Sequence, residues 1–174
     1  MIYKLLVVDK TGVISKRIEG IFTRFVMDYL VFRISDLEET EFIGKKERID
    51  VIIVNGDDYV ELLSKEKLRS FKEKIVPSPK LLLLLEPNLM NTLPAVEREA
   101  HEVMDSKGFR TLQILHAVDR LAYERARERY ERTEAELKKK KGEFDTNLQA
   151  IREMREGLRQ RAEQEENGGG DLSA

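Results

Sequence analysis

Few residues in this 174-residue chain have the types and spacing that chemistry needs. Asp9 follows the apolar run Ile2–Val8, and Lys10 comes directly after it. Asn55 closes the stretch Asp50-Val51-Ile52-Ile53-Val54-Asn55, and Asp57 and Asp58 lie just beyond it. A carboxylate at a strand end can accept a phosphoryl group or hold a hard cation. An amide can do neither, because it is a poor nucleophile and carries no negative charge. The simplest reading of Asp9 is an acid hydrogen-bonded to nearby backbone, and of Asp57 and Asp58 a solvated turn or helix cap. Lys10, beside Asp9, is a candidate built-in cation. His101 and His116 are isolated, so a surface or packing role is expected and no metal site is assigned. The chain has no cysteine, which excludes a disulfide framework, thiol catalysis and Cys-ligated metal, and fits a cytoplasmic protein.

These residues must be positioned by regular elements. The apolar runs Ile2–Val8, Val31–Ile34, Val51–Val54 and Leu81–Leu85 read as strands. The last is continuous and bounded by Pro79 and Pro87, as suits a parallel strand covered on both faces. Helical spacing marks Val13–Tyr29, a charged segment Leu37–Lys46, and Tyr59–Ile75 with Val60, Leu63 and Leu68 inward. A helix over Thr92–Ser106, capped by Gly108, and a fifth strand over Leu112–Leu115 complete the expected pattern. Five strand–helix repeats predict a flavodoxin-like, doubly wound five-stranded parallel sheet over residues 1–116. In such a sheet, chemistry sits at the C-terminal ends of the strands.

Residues 117–166 are almost all helix formers. Tyr123, Tyr130, Leu137, Phe144, Ile151 and Leu158 recur every seven residues. Arg127, Glu134, Lys141, Leu148, Arg155 and Ala162 are read as a poorer companion seam. This predicts a coiled coil or, if the helix breaks at Gly142, a helical hairpin. Residues 167–174, with three consecutive glycines, read as a disordered tail.

The α/β region resembles the receiver domain of response regulators, with "DVIIVN" as its third strand. A working receiver carries two acids after strand 1, an acceptor Asp after strand 3, a Thr or Ser after strand 4 and a Lys after strand 5. Here those positions read Asp9 and Lys10, then Asn55, then Leu85 or Glu86, then Leu115, with Leu112 at the aromatic switch position. The resemblance therefore implies a degenerate receiver without phosphorylation chemistry, related to two-component signalling. No catalytic residue, metal or cofactor is expected.

Two other readings come from different classes. "VVDKTGVI", residues 7–14, is similar to the phosphorylated motif of the haloacid dehalogenase superfamily, which would make Asp9 a nucleophile in phosphotransfer or phosphoester hydrolysis. Degenerate receivers followed by a coiled coil also occur in antitermination regulators that bind RNA. Net charge is -2, and basic and acidic residues balance along the C-terminal helix, so nucleic acid binding is not expected. No apolar run is long enough to span a bilayer, and strand 1 leaves no room for a signal peptide. The favoured expectation is a homodimer through the helical stripe and an unidentified protein partner.

Overall fold

The computed structural model describes residues 2–26, 28–75, 78–92 and 99–168. Five strands hydrogen-bond in parallel: β1 (Tyr3–Val8), β2 (Tyr29–Ile34), β3 (Val51–Asn55), β4 (Lys80–Leu85) and β5 (Glu102–Asp105). Their order is β2-β1-β3-β4-β5. This is the flavodoxin-like arrangement, with its switch point between β1 and β3. The register pairs Val8 with both Ile34 and Val54, and Asn55 with Leu84, so the strands end nearly level.

β1, β3 and β4 are buried on both faces, which is why they are apolar without alternation. On one face Leu5, Val7, Ile53 and Leu82 pack under α1 (Val13–Phe25), through Ile18 and Phe22. On the other, Leu6, Val8, Ile52 and Leu83 share a core with Leu68 of α3 (Lys65–Lys74) and with Ile75. Asp36 caps α2 (Leu37–Glu47) by accepting the Glu38 N–H at 2.9 Å, and Ser64 caps α3 by accepting the Lys67 N–H at 3.3 Å. A short helix, α4 (Pro87–Thr92), follows β4.

The structure departs from expectation in several places. The first helix ends at Phe25, and Tyr29, expected within it, opens β2. Tyr59–Ile75 is not one helix. Two 3-10 turns, Gly56–Asp58 and Val60–Leu62, precede α3, and Val60 is exposed. The fifth strand is Glu102–Asp105, inside the segment expected to be helical, of which residues 93–98 lie outside the described residues. It pairs only with β4, so as an edge strand it tolerates acids at both ends, and Arg120 forms an ion pair with Glu102. Its two inner residues face opposite ways: Val103 packs against one core cluster and Met104 against the other. Leu112 and Leu115 are therefore not on a strand. They lie in the first turns of α5 (Thr111–Gly168), where Ile114, Ala117, Val118, Leu121 and Ala122 are buried at helical spacing.

Residues 1–128 form one compact unit and residues 129–174 a second. The α/β unit thus extends beyond the expected boundary at 116, because the opening turns of α5 supply part of its core. Tyr29 donates its hydroxyl to Asp119 at 2.5 Å, and Lys80 pairs with Glu128 at 2.6 Å. In the second unit α5 continues as one helix through Gly142, not a hairpin. A single helical glycine costs only about 1 kcal/mol relative to alanine. Tyr130, Leu137, Phe144, Ile151 and Leu158 are all exposed. Asn167 and Gly168, expected in a tail, are helical instead, and residues 169–174 lie outside the described residues. Among the described residues no helix is long and apolar enough to cross a membrane.

Candidate functional site

Asp9 is the first residue beyond β1 and is 1% exposed. Its Oδ2 accepts the Ser15 N–H at 2.8 Å, and Oδ1 accepts the Thr11 hydroxyl at 3.0 Å. Ser15 is the third residue of α1, whose preceding residue, Gly12, has φ 75° and offers no side-chain cap. Asp9 therefore caps α1 from across the turn, with its charge at the positive end of the helix. Burial would push its pKa up. The Ser15 N–H, the Thr11 hydroxyl and the Asp58 and Asn55 side chains outweigh that and hold it below the ordinary value of 3.8.

Asn55 ends β3 at the switch point and is 5% exposed. Its Nδ2 donates to Asp58 Oδ2 at 2.9 Å and to Asp9 Oδ1 at 3.4 Å, bridging two acids. Asp58 Oδ2 also accepts the Lys10 N–H at 3.0 Å. Burial and the adjacent Asp9 push the Asp58 pKa up. What Lys10 contributes to the acids is its backbone N–H; the residue is exposed.

Asp57 turns the other way. Its Oδ1 accepts the Glu86 N–H just past β4, at 2.8 Å, and its Oδ2 accepts the Ser106 hydroxyl just past β5, at 2.5 Å. One carboxylate thus ties the ends of β3, β4 and β5 together. The expected solvated turn or helix cap is instead a pair of engaged acids, aimed apart by the 3-10 turn that holds them. Gly56 opens that turn because a Cβ there would lie 2.4 Å from Leu85 Cδ2.

The remaining site positions are also placed. Leu85 is buried at the end of β4 with its side chain in the core, so the group past that strand is Glu86. Leu115, on α5, is not at a strand end. The loop after β5 carries Lys107, whose ammonium lies 2.6 Å from Glu86 Oε1, and Glu86 raises its pKa. Lys107 is the residue that sequence reasoning missed. Its loop is held by Phe109, which is 2% exposed and whose carbonyl accepts Arg17 Nη2 at 2.7 Å, contacts that no local pattern signals. His101 is exposed, and its Nδ1 accepts the Leu81 N–H at 2.9 Å, which fits the expected surface or packing role. Among the described residues no group of three or more acids or histidines has a metal-binding arrangement.

The sheet order, and the acids at its switch point, define a receiver-like domain with a long C-terminal helix. The chain is similar in structure to a response regulator from Thermotoga maritima, with TM-score 0.57, 18% identity, and coverage of 71% of this chain and 99% of that one. It is also similar to the signal receiver domain of an HD domain-containing protein from Pseudomonas fluorescens Pf-5, with TM-score 0.59, 19% identity, and coverage of 73% and 91%. A response regulator receiver domain protein from Clostridium thermocellum gives TM-score 0.55 at 20% identity, over 72% and 98%. At these identities the likeness is one of fold. No protein-family model and no curated protein matches the sequence.

Proposed function

We propose that this chain is a phosphorylation-independent receiver-like module that acts by protein–protein contact in signalling or regulation. The observation that carries this reading is the Asn55 amide donating to both Asp58 and Asp9. An acceptor at this place needs a carboxylate oxygen and neighbouring acids free to hold Mg²⁺. Here a neutral donor fills the position and the two acids are bonded to it. Lys107, which could neutralise a phosphoryl oxygen, is paired with Glu86. The same geometry argues against Asp9 as a phosphohydrolase nucleophile, because both its oxygens accept hydrogen bonds and the residue is buried.

The contact surface in this reading is the exposed stripe Tyr130, Leu137, Phe144, Ile151 and Leu158, to which Tyr123 in the first unit adds a further exposed aromatic. A helix of this kind is poorly stable without a partner, and a second copy is the simplest, given how common two-fold homodimers are. Incubation with Mg²⁺ and acetyl phosphate, followed by mass spectrometry, tests the phosphorylation claim. The expected result is unmodified protein. A stoichiometric acyl phosphate on any Asp overturns it, and one on Asp9 installs the phosphotransfer reading.

A further inference from the structure

We infer that α5 pairs with a second copy of itself in parallel and in register, with Tyr130, Leu137, Phe144, Ile151 and Leu158 each meeting its own counterpart. This rests on the homodimer reading above and deepens it. The stripe repeats every seven residues and is exposed throughout the second unit. Two heptad frames can place it. If the residues four positions on share the seam, Glu134, Lys141 and Arg155 enter the core opposite their own copies. If the residues three positions on share it, the companions are Thr133, Lys140, Asn147, Met154 and Arg161, of which two are charged, against three of five in the first frame. Lys140 and Arg161 can lay their methylenes along the seam and keep their charged heads in water. The second frame is therefore the favoured one, with the stripe at a positions and the companions at d.

Charge then decides orientation. In a parallel pair the flanking g residue faces the e residue five positions on in the other helix. In this frame those pairs are Arg129 with Glu134 and Glu136 with Lys141, both attractive. The next ones join Glu143 to Leu148 and Ala150 to Arg155, so no like charges face each other across the flanks; the like pairs are Lys140 and Arg161, each opposite its own copy at the seam. Asn147 faces Asn147 of the second copy, at a d position, where two amides can bond to each other and so keep both from being left unpaired in the seam. An antiparallel pair centred near Gly142 instead sets Glu143 beside Glu143 of the second copy and Lys141 beside Lys141. It also turns each stripe residue toward a companion, Phe144 against Lys140 among them. Sliding the helices to relieve this leaves part of the stripe in water. Glu134 already pairs with Lys138 on its own helix at 2.7 Å. Exposed pairs of that kind are weak and exchange readily.

The chain has no cysteine, so single cysteines report the arrangement cleanly. Full-length Thr133→Cys and Ile151→Cys are oxidised separately and as an equimolar mixture, with sedimentation equilibrium run on the reduced forms. Each variant is expected to form a disulfide dimer with itself, with no Thr133→Cys to Ile151→Cys product in the mixture. A mixed product with little self-linking overturns the parallel arrangement while leaving the homodimer intact. A reduced full-length chain that sediments as a monomer, as the unsubstituted protein also does, overturns the homodimer reading itself.

Discussion

Asn55 donates its side-chain amide to Asp58 at 2.9 Å, with the same nitrogen 3.4 Å from Asp9. A donor is what the site requires there, because a carboxylate at the same point would gather three acids with no cation between them. Asn55→Asp is expected to destabilise the α/β unit by about 1–3 kcal/mol, through the lost bonds and the added repulsion. Divalent cations should recover part of that loss, since three carboxylates begin to resemble a hard-cation site. Urea unfolding of the variant with and without Mg²⁺ checks this; an unfolding midpoint equal to that of the unsubstituted protein and indifferent to Mg²⁺ would contradict it.

Asp57 holds the Glu86 N–H and the Ser106 hydroxyl with one carboxylate, so its removal should act on two loops at once. Asp57→Ala is expected to cost about 1–3 kcal/mol and to speed amide exchange at Glu86 and around Ser106. Ser106→Ala should cost less, because the bond to Glu86 survives. Hydrogen exchange followed residue by residue separates the two. Unchanged exchange in both loops would mean that Asp57 ties nothing.

His101 accepts the Leu81 N–H at Nδ1, which only an unprotonated nitrogen can do. Burial first, then the positive charges of Lys80 and Lys72, pushes its pKa down to about 4 from the ordinary 6.5. Between those values the unfolded chain binds a proton that the folded chain refuses. The His101 contribution to stability is therefore full above pH 6.5 and is lost as pH falls toward about 4. The ring is partly exposed, so solvent mutes the effect. Stability measured across this window should fall less steeply for His101→Asn, which keeps an acceptor near the same point and does not titrate. Identical slopes in the two proteins would remove His101 as the cause.

Ile151→Asp with Leu158→Asp places two charges on the α5 stripe, far in sequence from the α/β core. If the proposed dimer forms through this stripe, the double variant is expected to dissociate it and leave the α/β unit folded. Burying a large apolar side chain of this kind contributes roughly 1.5–3 kcal/mol, so two such losses should weaken association by at least a hundredfold. Sedimentation equilibrium with near-ultraviolet circular dichroism reads both halves of this expectation. A dimer of unchanged strength would place the interface elsewhere.

The parts of the fold that were legible in the sequence share one cause. β1, β3 and β4 lie in the middle of the sheet, covered on both sides, and such strands must be continuous apolar runs. Leu81–Leu85 could hardly have been anything else. The chemistry of Asn55 was legible too, because an amide in place of a carboxylate keeps its character in any fold. The seven-residue stripe of α5 needed only counting.

What the sequence left open was decided by contacts between distant segments. Glu102–Asp105 becomes a strand because β4 offers a free edge, and nothing in four residues flanked by acids announces that. Leu112–Leu115 looked like a strand in a short window. Its membership in a helix rests on Ala117, Val118, Leu121 and Ala122 meeting the same core as Ile114. The true end of β5 in turn brought Lys107, not Leu115, to the loop beside Glu86. Asp57 and Asp58, adjacent in the chain, read in sequence as a solvated turn or helix cap. Their opposite engagements, one with β4 and β5 and the other with Asn55 and Lys10, depend on partners up to 49 positions away in the chain. A side chain's chemistry is local and travels with its type. Which group it meets is fixed only when the sheet brings strand ends from across the chain to one edge.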